Sequence, residues 1–126
     1  MKIAHGRSGD ESEHRTSTFT GEVYADPVLA DDGVNVGNVF FAPGARTYWH
    51  SHDNGQVLHV REGAGYVCAE GGQRQEIGVG DTVWAPPGEL HWHGGREDSY
   101  MLHTAVSMGT TQWRQEVTDA EYGEGA

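Results

Sequence analysis

The sequence predicts an all-β chain folded as a barrel or sandwich, and three observations carry that expectation. Short β-prone runs recur along most of the length, turn signals separate them, and a single stretch near the end reads as helix. The 19 glycines are scattered between the runs rather than gathered in one tract, as many turns joining many short strands require. No internal repeat points to a propeller.

Taken in order, the β-prone runs begin at 19–24, 35–42 and 46–52, and continue at 55–61 and 65–70. Between the last two, "VREGAGYV" carries glycines where the chain is expected to reverse. The clearest hairpin is "YVCAEGGQRQEI", joining 65–70 to 73–78, with Gly71 and Gly72 able to supply the positive φ angles of a two-residue turn. Runs at 82–85, 89–93, 99–108 and 112–116 complete the set, with further turns in "FAPGA" and "VGDTVWAPPGE". "TDAEYGE" reads as one short helix, with Thr118 as N-cap and Glu121 three residues on. Residues 1–18 are polar and form an arm expected to order against a partner subunit, 19–117 form one domain, and 118–126 are a tail.

At 126 residues the chain is long enough to bury one core and too short for two. Eight Lys and Arg against 19 Asp and Glu give a net charge of -11, which repels phosphate backbones and anionic lipid, so neither nucleic acid nor membrane is an expected partner. "MKIAHGRSGDESEHRTST" holds no apolar run of signal-peptide type and no stretch approaches a membrane span, so a cytoplasmic location is expected. Cys68 is the single cysteine; it sits in an apolar strand pattern and reads as a small buried residue rather than a nucleophile. Trp49, Trp84 and Trp92 read as core.

The chemistry gathers around histidine. His50, His52, His59, His91, His93 and His103 account for six of the eight histidines. Residues two apart on a strand share a face with backbones about 6.6 Å apart, so His50 and His52 can converge on one ion. In "GQVLHVREG" the same alternation turns Gln56 inward with Leu58 and Val60, and His59 outward with Arg61. His91 and His93 repeat the arrangement, with Trp92 facing the opposite layer. His103 shares a face with Met101, Ala105 and Ser107, where a polar ring needs a partner or a purpose. Tyr48 and Arg46 carry the parity of His50: the first reads as a barrel-filling aromatic or one that narrows the pocket, the second as an anion contact or a barrel-end salt bridge.

These residues resemble the two motifs of the small single-domain cupins. The first motif is matched by Gly44, His50-Ser51-His52, Gln56 and Gly63, the second by Gly80, Pro86, Gly88 and His91. The resemblance covers roughly residues 35–108, with two departures: Gln56 stands where the family usually has Glu, and Gly95 where it usually has Asn. It implies a double-stranded β-helix, the jelly-roll barrel, and a homodimer. It also implies one divalent metal ion held by His50, His52, Gln56 and His91. Four neutral ligands leave the full +2 on that ion, which favours polarising a bound substrate over redox cycling. Manganese leads the candidates, with iron, nickel, cobalt and zinc open to the same ligands.

Within the family, "PGARTYWHSH", Gln56, "PGELHWHG" and "MLHTAV" look like the bacterial manganese-dependent cupin hydroxynitrile lyases, which have a small residue at the position of Tyr48. That resemblance implies cleavage of a small cyanohydrin, with His103 taking the hydroxyl proton and His93 stabilising or protonating the departing cyanide. An unperturbed histidine near pH 6.5 suits the first role. An Fe(II)-dependent dioxygenase of small molecules and a non-catalytic cupin that binds a small ligand are the competing readings.

Overall fold

The computed structural model describes residues 1–124. Its strands are β1 (Glu13–His14), β2 (Phe19–Thr20), β3 (Val23–Asp31), β4 (Val34–Phe41), β5 (Arg46–Thr47) and β6 (His50–His52). They continue with β7 (Gln56–Ala69), β8 (Gln75–Gly78), β9 (Thr82–Ala85), β10 (His91–Gly95), β11 (Met101–Met108) and β12 (Thr111–Trp113), and helix α1 (Asp119–Glu124) follows. All pairings are antiparallel. One sheet runs β1-β3-β4-β11-β7-β9. In the other, β8, β7 and β10 are neighbours, and β10 pairs in turn with β5 and β6, which carry β2 and β12. The curled sheets form the expected jelly-roll barrel. No helix among the described residues is long and apolar enough to cross a membrane.

The two sheets are joined by β7, a 14-residue strand that runs through the segment expected to turn. Its first half pairs with β11 and its second with β8 and β10. A bulge lies where Val60 and Glu62 face the consecutive residues His103 and Leu102, and it bends the strand instead of reversing it. Gly63 makes the crossing: its φ is 72°, and a Cβ there would lie 1.9 Å from the Tyr100 carbonyl oxygen.

Three other expectations are revised. The run at 19–24 divides into β2 and β3, and β3 continues through Pro27 because a register shift between Pro27 and Leu29 absorbs the interruption. The β7–β8 turn is longer than two residues: Gly72 N bonds to Ala69 O at 2.9 Å, and of the two glycines Gly71 takes the positive φ. The run at 46–52 breaks at Tyr48 and Trp49, which separates β5 from β6. The helix begins as its sequence requires, with Thr118 N bonding to Glu121 Oε1 and Glu121 N to Thr118 Oγ1.

Two apolar clusters hold the barrel. Val23, Phe41, Ala45, Val60, Ile77 and Met101 pack between the sheets, while Trp49, Tyr66, Cys68 and Trp92 pack beneath Val117 and Tyr122 of the carboxy-terminal segment. Cys68 is buried as expected. Trp84 is not core: it is 55% exposed on β9. The arm finds a partner in its own chain, with Glu13 opposite Ala25, His14 opposite Tyr24 and Thr18 O accepting from Tyr48 N.

Candidate metal centre and catalytic pocket

Direct pairing of His50 with His91 sets the two His-x-His strands, β6 and β10, side by side. Gln56 enters from the start of β7, and His103 faces them from β11. All six side chains, His50, His52, Gln56, His91, His93 and His103, belong to residues no more than 4% exposed. The ring of His50 is 4.4 Å from that of His91, 5.0 Å from His52 and 5.2 Å from His93. The ligand atoms of His50, His91 and His93 lie within 4.8 Å of one another, so these three form a group able to hold a metal ion.

Hydrogen bonds at the outer ring nitrogens orient the imidazoles. His50 Nδ1 donates to Tyr48 O at 2.9 Å and His91 Nδ1 to Glu89 O at 3.0 Å, since a carbonyl can only accept. Each neutral ring then carries a bare lone pair at Nε2, the atom a metal needs. His52 Nδ1 meets Thr111 Oγ1 at 3.1 Å, and its Nε2 is buried without a partner.

Gln56 supplies a second feature suited to a cation. Its Nε2 donates to Ser107 Oγ at 2.9 Å, which turns Oε1 toward His91 Nε2 at 3.1 Å. Two acceptors face each other there; a cation between them, or reversal of the amide, relieves the opposition. The residues therefore fit a divalent ion.

His93, a member of the group with His50 and His91, also pairs with His103. His103 Nε2 and His93 Nδ1 share a hydrogen bond of 3.1 Å, while His93 Nε2 and His103 Nδ1 are buried with no partner. Burial lowers the pKa of His103 to about 4, and burial followed by repulsion from His103 holds His93 well below its ordinary value. His52 falls to about 4 through burial and the neighbouring His91, and burial depresses His50 and His91 as well. All five rings are therefore neutral at pH 7. This revises the expectation that His103 titrates near 6.5.

A cavity of about 660 Å³ is lined by His50, His52, Gln56, His93 and His103, with His91 behind its wall. Opposite the polar side chains, Phe19, Val39, Phe41, Ala105 and Trp113 give it an apolar wall. Sequence reading missed Trp113, whose ring lies 4.7 Å from that of His50; it follows a glycine turn, outside either histidine motif. Parity misplaced Arg46 and Tyr48, because the chain bends between β5 and β6; Thr47 lines the cavity in their stead. Arg46 points the other way, donating to Val117 O and Asp119 Oδ1, so the salt-bridge reading holds. His59 is outside the site, bonded to Thr82 Oγ1 at 3.0 Å.

The fold agrees with comparison to known proteins. Residues 37–106 match the Cupin domain family, and the chain belongs to it. It is 43% identical over 129 residues to a Granulicella tundricola protein named (R)-mandelonitrile lyase, covering 97% of this chain and 98% of that one. A cupin-like protein from Thermotoga maritima superposes with a TM-score of 0.80 at 32% identity, over 97% of this chain and 93% of that one. The polyketide cyclase RemF from Streptomyces resistomycificus has a TM-score of 0.75 at 20% identity, over 97% and 89%, a likeness of fold alone.

Proposed function

We propose that this protein is a manganese-dependent lyase that cleaves a small cyanohydrin into a carbonyl compound and hydrogen cyanide. The observation that carries the reading is the hydrogen-bonded His93–His103 pair, with an unpartnered nitrogen on each ring, beside the neighbouring imidazoles of His50, His52 and His91. The relative named (R)-mandelonitrile lyase supports the choice of substrate.

His50, His52, Gln56 and His91 would hold the ion. Once bound, it supplies Lewis acidity that polarises a substrate oxygen and makes its hydroxyl proton easier to remove. His93 is assigned to the proton pair through its bond to His103, although the ring, whose Nε2 has no partner, also falls in the group with His50 and His91.

The pair moves protons without ever storing charge. In one tautomer His103 Nε2–H donates to His93 Nδ1, which leaves His103 Nδ1 as an acceptor and His93 Nε2–H as a donor. The substrate hydroxyl proton passes to His103 Nδ1, a second crosses the 3.1 Å bond, and a third leaves His93 Nε2 for cyanide. The C–C electron pair departs with cyanide as the O–H pair becomes the new C=O bond. Both rings begin and end neutral, so the low basicity imposed by burial is no obstacle. The opposite tautomer serves the reverse reaction.

Manganese-loaded protein given racemic mandelonitrile is expected to release benzaldehyde and cyanide, and chelator-stripped protein is expected not to. Absence of release with both manganese and iron overturns the reading. Oxygen uptake by the iron form would favour the dioxygenase.

A further inference from the structure

The histidine cavity continues beyond the histidines. A second hollow of about 420 Å³ runs along β3 and β4 and shares Arg15, Ala25, Val39, Ala105 and Ser107 with the first. Ala25 opposes Val39 and Pro27 opposes Gly37, so the row continues on the same face of the sheet. At Gly37 no side chain fills the space, and an added Cβ would meet Asp26 O at 3.4 Å, an ordinary contact. Packing does not demand that glycine; the hollow is open because the residue is small. Arg15 borders it from the arm, fixed by its N–H to Val23 O and by its guanidinium to Glu13. A benzene-sized ligand needs only about 150 Å³. The first cavity alone, at about 660 Å³, exceeds what a one-ring substrate fills.

We propose that the two hollows form one elongated substrate site, in which the reacting end lies at the histidines and an apolar substituent longer than one aromatic ring extends along β3 and β4. The assignment of the reacting end rests on the lyase reading; the extension rests on the shared walls. Its occupant is the substrate's own substituent, because the hollow shares those five wall residues with the cavity that His93 and His103 line.

The test is calorimetric binding of benzaldehyde and of 4-phenylbenzaldehyde to the full-length, manganese-loaded protein, alongside cleavage of the two corresponding cyanohydrins. The two-ring aldehyde is expected to bind about tenfold more tightly, the gain from burying a further ring less the cost of ordering it. Gly37→Leu is expected to remove that preference, and so is Val28→Phe, which narrows the hollow from the facing strand should the glycine variant not fold. Equal affinities in the unmodified protein, or a preference that survives both substitutions, would overturn the extension. If the binding preference holds while neither cyanohydrin is cleaved, the extension stands and the lyase reading fails. If Gly37→Leu changes the sedimentation mass and leaves the preference intact, the hollow seats a second copy of the chain and the proposal is overturned.

Discussion

Gln56 decides the charge of the site. Its amide adds no negative charge, and its bond to Ser107 turns the oxygen toward His91. Gln56→Glu is expected to bind metal at least as tightly but to lower turnover about tenfold, because the added charge offsets the polarising power of the ion; unchanged turnover in a metal-matched assay would make the amide incidental. His103→Ala is expected to cost about 10²–10⁴ in kcat, the usual range for a proton-transfer group, with metal content unchanged by elemental analysis. Normal turnover in that variant would remove the pair from the reaction. At this scale the sequence was legible wherever strands are regular: alternation put His50 with His52 and His91 with His93 on shared faces, and the cupin resemblance implied that these strands and His103 meet at one site, where the rings do lie together. It failed at Arg46 and Tyr48, since a period of two has no meaning across a bend, and at Trp113, whose proximity to His50 comes from pairing of β12 with β6.

Among elements, the carboxy-terminal segment holds the outer face of the site in place. Trp92, fully buried between His91 and His93 in the chain, packs against Tyr122 with ring centroids 4.8 Å apart. Trp92→Ala is expected to destabilise by about 3–5 kcal/mol in denaturant unfolding, the range for a large buried aromatic. Arg46 pins the same segment through two bonds to Val117 O, at 2.9 and 3.3 Å, and lies over the Tyr122 ring. Its partner Asp119 is 97% exposed at the side chain, so the ion pair itself contributes little. Arg46→Ala is therefore expected to cost about 2 kcal/mol and Asp119→Ala less than about 1; the reverse order in the same unfolding assay would place the stabilisation in the ion pair. Most strand positions and the capped helix were readable from local patterns, whereas β1 and the length of β3 were not, since neither shows a clear β pattern of its own. The passage of β7 from one sheet to the other was not, because glycines that bend a strand and glycines that reverse it look alike until the Tyr100 backbone beside Gly63 is known.

For the whole molecule, burying neutral imidazoles makes stability depend on pH. Their folded pKa values lie below 6.5, with His52 and His103 near 4, so below pH 6.5 the unfolded chain takes up protons that the folded one refuses. Stability of the metal-free protein is expected to be full above pH 6.5 and to fall as pH drops from 6.5 through about 4, by about 1.4 kcal/mol per pH unit for each such ring. A melting temperature constant across that window would contradict neutral burial. The ion should add about 2.7 kcal/mol at a hundredfold excess over its dissociation constant. One ion is expected among His50, His52, Gln56 and His91, with His93 and His103 left free as a proton pair. An anomalous-scattering map of manganese-loaded crystals tests it most directly. A single peak within bonding distance of the three Nε2 atoms and Gln56 Oε1 is the predicted result; a peak held by His93 together with His50 and His91, or no peak in the barrel, would contradict it.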